Sequence, residues 1–380
     1  MLEPHRPMLW ITEIPWDEIR DQHPDLRLTC EDPDARRAES ALRIRRFTQR
    51  HLHVDEVEDG VVWVPMRFTG ADYGIRVEED LIAQGHSSIQ SHGFKPVITE
   101  MEHVEKIRMP EVAYDRESTE REKDRLDGWF GDLLPVRIHG PRQHFFNGWD
   151  ELVRWTGVQN ALLDLMERPD FIHALLRRMT DSFLERMRQF EAGGWLGAPH
   201  PLLRAGSGAA GFTDELPRAD TPPDGPFTAL DQWGGAAPQI FSDVSPAMHE
   251  EFALRYEIEV LSRCGLNYYG CCEPLHTKMH LMDTVPRLRK ISISPWCDAA
   301  RANAAATRKY VFSHKPNPAL LATDPYDPEA AEADLRRRLD GSDGMASEVI
   351  MKDISTVRED LGRLLDWTRM AARVVREYGP

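Results

Sequence analysis

From about residue 133 onwards, short apolar runs that end in polar residues alternate with longer amphipathic segments. The runs are LLPVRIHG, APQIFSD, LNYYGCCE, RKISISPW, KYVFSHKPN and SEVIMKDIS, and each precedes a stretch with helical spacing of its apolar residues. Strands that alternate with helices form parallel βα units. This many units in succession predict an α/β fold of the (β/α)8 TIM-barrel type. No GxGxxG or Walker-type loop follows any run, which weakens a nucleotide-binding interpretation.

The beginning of the chain follows a different pattern. EDPDARRAESALRIRRFTQRH predicts a helix with Asp32 or Asp34 near its start, and GVVWVPMRF predicts a strand. We therefore expect an N-terminal α+β extension at residues 1–95, packed on a barrel at residues 96–380. The Pro/Gly-rich region 197–226 predicts a long loop, and loops of that length often form lids or bind ligands.

Composition limits the classes of partner and the compartment. The 380 residues include 47 basic and 63 acidic side chains, a formal charge of −16, so a nucleic-acid or anionic-membrane partner is disfavoured. No apolar run approaches the roughly 20 residues that span a bilayer, and the N-terminus lacks a signal-peptide pattern. The five cysteines do not suggest a disulfide framework. We expect a protein of the reducing cytoplasm.

Polar and chemically active residues gather where the predicted strands end. In a barrel these ends meet at one mouth, where the chemistry of such folds is found. The residues at these positions are His139, Gln239, Asp243, Cys271, Cys272, Glu273, Cys297, Asp298, His314, Lys315, Asn317, Lys352 and Asp353.

The cysteines at two of these strand ends suggest a metal site. Zinc is held by thiolate, imidazole or carboxylate ligands, and Cys271 or Cys272, Cys297, and His276 or Glu273 could supply them. Neighbouring residues of a strand point to opposite faces, so only one of the paired cysteines is a ligand unless the strand breaks there, which Pro274 permits. The alternative is that these cysteines are small buried hydrophobic residues.

Other strand ends suggest recognition of an anionic or carbonyl group. SHKPNP places His314, Lys315 and Asn317 in a rigid loop that could bind a carboxylate, although it could equally be a turn in which the asparagine bonds its own backbone.

Arg137, beside His139, could receive an anionic group or serve in a salt bridge. Lys352 and Asp353 could be a solvated pair.

The order of segments resembles that of the uroporphyrinogen decarboxylase-like superfamily. The resemblance lies in DLLPVRIHGP, LMERPDFIHALLRRMTDSFLERMRQFEAGG, FSDVSPAMHEEFALRYEIEVL, the cysteine strand and YVFSHKPNPALLA, and it covers about residues 95–375. It implies a (β/α)8 barrel. The superfamily includes the porphyrinogen decarboxylase and zinc-dependent methyltransferases that move methyl groups among corrinoids, thiols and folates.

Two departures from the family patterns favour one branch. The arginine-rich stretch with which the decarboxylase grips carboxylates has no match here. The thiol-methyltransferase branch carries a His-x-Cys zinc motif, and Tyr269-Gly270-Cys271 stands in that place, so the cysteine matches and the histidine does not. Cys297 also arrives earlier than the last zinc ligand of the family. The resemblance therefore implies a rearranged zinc site, with Cys271, Cys272 and Cys297 as the preferred ligands and His276 in reserve.

The first hypothesis for function is a zinc-dependent methyltransferase that moves a methyl group between a small O-, N- or S-methyl substrate and a corrinoid, thiol or folate acceptor. The metal would act as a Lewis acid. The methyl carrier would be a corrinoid on a partner protein or a tetrahydrofolate, and His139 and Asp243 would orient substrate or move protons. The residues assigned to substrate binding are Arg137, Gln239, Tyr269, Glu273, Lys315 and Asn317.

The second hypothesis is a metal-independent decarboxylase or lyase that acts on a carboxylated substrate. In that enzyme His139, His314 and Lys315 would bind the substrate, and Asp243 would stabilise positive charge that develops on it. A binding barrel without chemistry is a third, non-enzymatic alternative. Because barrels of the superfamily often pair, a homodimer is also expected.

Overall fold

The computed structural model describes residue 2 and residues 5–82, 91–200, 202–306 and 308–379. The strands are β1 (Met8–Ile11), β2 (Val62–Pro65), β3 (Phe68–Thr69), β4 (Glu78–Ile82), β5 (Ser91–Lys95), β6 (Ala113–Tyr114), β7 (Val136–His139), β8 (Gln143–Phe146), β9 (Arg204–Gly206), β10 (Ala209–Ala210), β11 (Trp233–Ala236), β12 (Leu266–Tyr269), β13 (Leu288–Ile293), β14 (Val311–His314) and β15 (Ala346–Met351).

The α-helices are α1 (Trp16–Ile19), α2 (Pro33–His51), α3 (Arg116–Phe130), α4 (Gly148–Thr156), α5 (Val158–Glu167), α6 (Pro169–Ala192), α7 (Pro246–His249), α8 (Arg255–Leu261), α9 (Met279–Met282), α10 (Ala299–Ala305), α11 (Pro328–Asp340) and α12 (Leu361–Glu377). The predicted N-terminal helix is confirmed as α2. It begins after Asp32, whose side chain accepts hydrogen bonds from the amides of Asp34 and Ala35 and so satisfies two free donors of the first turn.

Seven strands form the main sheet of the described chain, in the order β1-β15-β14-β13-β12-β11-β8. Every neighbouring pair is parallel. Parallel neighbours require a crossover, and helices supply one between each successive pair from β8 to β15. The predicted α/β class with parallel strands is therefore confirmed. β1 and β8 lie at the two ends of this strand order.

One strand of this sheet lies earlier than the sequence predicts. The run APQIFSD was expected to be a strand, but the strand is the preceding WGGA of β11. Glycines are poor strand formers, which is why the pattern did not reveal it. Here they serve close packing, because a Cβ on Gly234 would lie 2.3 Å from Oδ1 of Asn267, and one on Gly235 would lie 2.6 Å from the ring of Phe145.

The N-terminal region contributes to the main sheet as well as to smaller sheets. β1 pairs with β15, with Trp10 beside Ile350. β2 pairs in parallel with β7, so the predicted strand ending at His139 belongs to a separate two-stranded sheet. The division of the chain at residue 95 remains a prediction.

The two faces of the main sheet have different coverings. On one face, which we call the hairpin face, Ala209 and Ala210 of the β9–β10 hairpin pack against Trp10, Tyr268 and Ile350. The opposite face, which we call the helix face, packs against the helices around it. Its buried side chains include Tyr269, Ile291 and Phe312, which cluster with residues such as Leu254 and Leu261.

No helix within the described ranges is both long enough and apolar enough to cross a bilayer. The longest helix, α6, is amphipathic, and it packs one side against a core that includes Trp149, Trp155 and Phe241.

This core gives a direct test of the helix packing. Leu175 on α6 is fully buried, whereas Met166 on the neighbouring helix is 74% exposed. We expect Leu175→Ala to lower the free energy of unfolding by about 2–5 kcal/mol, because it leaves a cavity. Met166→Ala should change it by no more than about 0.5 kcal/mol. Urea unfolding measures both values, and equal effects of the two changes would contradict this packing.

Candidate functional site

The carboxyl ends of β12, β14 and β15 bring a cysteine and two lysines together. Cys271 follows β12, Lys315 follows β14 and Lys352 follows β15. Both ammonium groups lie close enough to lower the pKa of the Cys271 thiol. The carboxyl ends of parallel strands are where sites in such folds form. The sequence predicted that chemically active residues would meet there, and these three do, while their role in function stays a prediction.

The local backbone explains why two adjacent cysteines share this site. β12 ends at Tyr269, and Gly270 has a φ of +93°, a conformation that side chains other than glycine rarely adopt. The strand alternation stops there, so Cys271 and Cys272 are not forced to opposite faces. Both are half-buried, and their sulfurs lie 3.5 Å apart.

The surroundings of Cys271 favour its thiolate form. A hydrogen bond from the Cys272 thiol, the charges of Lys315 and Lys352, and a 3.1 Å contact with the hydroxyl of Ser207 together outweigh burial. They lower the pKa of the Cys271 thiol to about 5. The same pairing raises the pKa of Cys272. Cys271 is therefore a thiolate at neutral pH, with a protonated thiol beside it.

The two lysines are held differently. Lys315 is fully buried, and its Nζ donates to the hydroxyl of Tyr268 at 2.9 Å and also to the hydroxyl of Ser292. Burial lowers the pKa of Lys315. Burial also opposes the charge of Lys352, but the Cys271 thiolate and Asp353, whose carboxylate is 2.9 Å away, hold the pKa of Lys352 above its usual value.

The β9–β10 hairpin carries Ser207 to the cysteine. The hairpin is fixed by hydrogen bonds from Lys290 Nζ to the carbonyl of Ala210 (2.6 Å) and from Trp233 Nε1 to the carbonyl of Gly211 (3.1 Å). It belongs to the region 197–226, which was predicted to be a lid or binding loop. The contact of Ser207 with Cys271 could not be read from the isolated GSG sequence.

Buried carboxyl groups line the other side of Cys271. Glu273 accepts a hydrogen bond from the Cys271 amide at 3.0 Å, and its Oε1 has no partner among the described residues. Burial raises the pKa of Glu273 to about 7. Burial likewise raises the pKa of Asp150 to about 6, although a hydrogen bond with the predicted substrate residue Gln239 opposes this. Sequence reasoning missed Asp150, which lies in helix α4.

Behind Cys271, on the helix face, Tyr269 joins two more buried groups. Its hydroxyl donates to Glu257 at 2.6 Å and lies 2.7 Å from His249 Nε2. Burial raises the pKa of Glu257 to about 8 and lowers that of His249 to about 3. Tyr269, which stands where the family has a histidine, thus points away from the hairpin face.

A π-helical turn at Glu250–Leu254 aligns His249 with Glu257. Residues eight apart in an uninterrupted α-helix point about 80° away from each other. The extra residue of a π turn reduces this offset to about 20°, so both side chains reach the same tyrosine.

Several predicted site residues lie elsewhere. His314 shares the helix face with Phe312, and burial beside Arg338 lowers its pKa to about 3. Alternation along β14 thus separates it from Lys315. Asn317 caps the short turn that follows, where its Oδ1 accepts from the Ala319 amide. The catalytic role of His314 and the substrate-binding role of Asn317 remain predictions.

His139 ends β7 beside Trp63, and its Nδ1 is 2.8 Å from the carbonyl of Gly140. Burial lowers the pKa of His139, and the charge of Arg142 acts in the same direction. Arg137 is exposed on the same strand, and Asp243 is exposed beyond β11. Their roles also remain predictions.

The predicted metal ligands do not gather around one point. Cys297 is buried beside the backbone of Leu275 and His276, where burial raises its thiol pKa to about 11. His276 Nδ1 accepts from the Asp298 amide at 3.2 Å. Within the described chain, three donor atoms suited to a metal come within 4.8 Å of one another at His23, Asp25 and His51. That group lies in the N-terminal region.

The residues at Cys271 do not fit a zinc ion. A zinc site needs at least three protein ligands, and the described residues place only the two sulfurs together here. The positive charges that balance the thiolate are those of Lys315 and Lys352. A divalent cation would compete with two ammonium groups for the same sulfur.

No protein-family model and no curated protein sequence matches the chain. In structure it is similar to a methyltransferase from Methanosarcina mazei, with a TM-score of 0.52 and 12% sequence identity. The match covers 97% of this chain and 94% of that chain. At this level of identity the similarity shows a shared fold.

The effect of the Lys352 charge on the pKa of the Cys271 thiol can be measured directly. We expect Lys352→Met to raise the pKa of the Cys271 thiol by on the order of one unit, because it removes a nearby positive charge. The rate of iodoacetamide alkylation of Cys271, followed against pH by peptide mass spectrometry, measures this pKa. Lys309→Met, which removes an exposed lysine paired with Asp283, is the control. An unchanged alkylation profile in Lys352→Met would contradict the assignment.

The buried Glu257 makes stability depend on pH. Its folded-state pKa of about 8 lies above the value of about 4.3 in an unfolded chain. Its contribution to stability is complete below the unfolded value and is lost as the pH rises through the folded value. Glu257→Gln should therefore flatten the fall in unfolding free energy between pH 5 and pH 8, by up to about 1.4 kcal/mol per pH unit.

Urea unfolding at several pH values measures this effect. Glu259→Gln is the matched control, because Glu259 lies on the same helix but is partly exposed and paired with Arg177. Parallel pH profiles for Glu257→Gln and the unaltered protein would show that Glu257 does not hold a proton in the folded state.

Proposed function

We propose that this chain is a methyltransferase in which the sulfur of Cys271 accepts the methyl group from a small substrate. The observation that carries this proposal is the placement of the Cys271 thiolate beside Lys315 and Lys352 at the carboxyl ends of the sheet. A thiolate is a strong and soft nucleophile, and it suits displacement at a methyl carbon. The fold shared with a methyltransferase supports the same reading.

The first step is a displacement. The S–C bond to Cys271 forms while the bond between the methyl carbon and an oxygen, nitrogen or sulfur of the substrate breaks, and the electron pair remains on that atom. As the negative charge leaves sulfur, the nearby ammonium groups can interact with the charge that develops on the substrate. The two lysines thus favour a leaving group that becomes anionic.

Glu273 is the proton donor in this scheme. Its pKa of about 7 keeps a large fraction protonated at neutral pH, and its Oε1 has no partner in the described chain. A proton passes from this carboxyl group to the atom that has lost the methyl group. Asp150 and Gln239 orient the substrate from the opposite side.

A second displacement completes the cycle. A nucleophilic atom of the acceptor attacks the methyl carbon, and the electron pair returns to the sulfur of Cys271. The acceptors implied by the family resemblance are a thiol, a tetrahydrofolate or a reduced corrinoid on a partner protein. A corrinoid would supply an exceptionally strong nucleophile when bound. Zinc has no role in this scheme.

We also propose that the main sheet closes into the predicted barrel, with the β2–β7 pair between β1 and β8. In a flat sheet these two end strands would lie about 29 Å apart. Yet Trp10 of β1 and Phe145 of β8 pack in one cluster with Tyr268 of β12. Strong curvature would account for this shared cluster, and it would gather the strand ends around Cys271.

Labelled methyl groups test the proposed reaction. The protein is incubated with methyl ethers, methylamines and methyl thioethers that carry trideuteromethyl groups, with cob(I)alamin or 2-mercaptoethanol as the acceptor. We expect the label on Cys271 and then on the acceptor. Cys271→Ser should lower turnover by at least about 10³-fold, whereas Cys30→Ser should not change it. Full activity of Cys271→Ser, or no transfer from any substrate, would reject the proposal.

Metal analysis of the same preparations tests the absence of zinc from the site. Stoichiometric zinc that is lost in Cys271→Ser but retained in His51→Ala would restore the zinc hypothesis. Zinc lost only in His51→Ala belongs to the N-terminal group.

The two lysines also favour a second candidate, a decarboxylase or lyase of a carboxylated substrate. Lys315 and Lys352 can bind a carboxylate by charge-assisted hydrogen bonds. Release of CO₂ from carboxylated substrates, with no label transfer in the methyl assay, would identify this activity. Lys315→Met should then raise KM, while Cys271→Ser should retain most of kcat.

A further inference from the structure

The two sulfurs at the site are arranged for a reaction with each other. Cys271 Sγ and Cys272 Sγ are 3.5 Å apart, and both side chains are half-buried rather than enclosed. The strand ends at Tyr269, so the backbone at these two residues is not held in a ladder of strand hydrogen bonds. Lys315 and Lys352 lie beside Cys271.

We propose that Cys271 and Cys272 form a reversible disulfide between neighbouring residues when the protein meets a small disulfide such as oxidised glutathione. The pair is then a redox-sensitive modification site, in addition to the methyl-transfer role that Cys271 has in the proposed function. Among the described cysteines, this is the pair whose sulfurs approach each other.

The reaction balances with a disulfide as the oxidant. The Cys271 sulfur attacks one sulfur of oxidised glutathione, which forms a mixed disulfide and releases one glutathione thiolate. The Cys272 sulfur, after losing its proton, then attacks the Cys271 sulfur and releases the second thiolate. Two electrons pass from the protein dithiol to the oxidant. The one proton of the pair, which Cys272 holds while Cys271 is a thiolate, goes to one of the released glutathione thiolates, and the other thiolate takes a proton from the solvent.

The geometry of neighbouring residues makes such a bond easy to reverse. Disulfides usually join Cα atoms at least about 4.4 Å apart, whereas adjacent Cα atoms across a trans peptide are about 3.8 Å apart. The ring that closes over one peptide bond is therefore strained. Strained disulfides are more readily reduced and are typical of labile or regulatory bonds.

Oxidation removes the nucleophile of the proposed function. The sulfur of Cys271 would carry no negative charge, so Lys315 and Lys352 would lose the anion that they face. Methyl transfer, which rests on the proposed function, should stop while the disulfide is present and return after reduction.

The test uses the full-length protein treated with oxidised glutathione. Peptide mass spectrometry without reduction should show that the peptide with Cys271 and Cys272 has lost two hydrogens and carries no glutathione. Dithiothreitol should restore both thiols, as counted with Ellman's reagent. In Cys272→Ser the second step is blocked, so Cys271 should instead keep a glutathione adduct. Cys30→Ser is the control and should behave like the unaltered protein.

Three results would overturn the proposal: a stable glutathione adduct on Cys271 in the unaltered protein, a disulfide from Cys271 to another cysteine, or no change at either residue. None of these measurements requires methyl transfer. If the disulfide forms but no methyl group is transferred, the proposed function fails and the redox site stands. If no disulfide forms and methyl transfer occurs and persists after treatment, the redox site fails alone.

Discussion

The site depends on one electrostatic arrangement, in which the charges of two nearby lysines, Lys315 and Lys352, favour the negative form of the Cys271 sulfur. Lys315 is fully buried, and such a charge is costly unless an opposite charge or hydrogen bonds compensate it. The thiolate, Tyr268 and Ser292 supply that compensation. Thiolate and lysine therefore stabilise each other.

The rest of the fold serves to bring these groups together. Parallel β12, β14 and β15 end at the same edge of the sheet, and the β9–β10 hairpin covers the hairpin face and adds Ser207. Behind the sheet, Tyr269, Glu257 and His249 form a buried polar chain that a π-helical turn makes possible. Nearer to Cys271, Glu273 and Asp150 add carboxyl groups with raised pKa values, while the lysines supply positive charge.

Much of the fold follows from local patterns. The strand–helix alternation predicted parallel βα units, and Asp32 was one of the two residues expected near the start of α2, where it caps the helix. Local patterns mislead where tertiary packing overrides propensity. Strand β11 is the glycine-rich WGGA, whose small residues are explained only by Asn267 and Phe145 on the neighbouring strands. The strand QHFF of β8 was also overlooked, because it follows β7 after a turn of only three residues.

The sequence by itself determined the class of fold and indicated the stretch of the candidate site, because hydrophobic periodicity and strand-end polarity are local properties. Only the tertiary structure decided which residues share the site. Because side chains alternate between the two faces of β14, His314 points towards the helices while Lys315 lies near Cys271. The end of strand β12 at Gly270 places both cysteine sulfurs side by side. Which residues share a site depends on the distances between strands and on the burial of charge, and the spacing of residues along one chain shows neither.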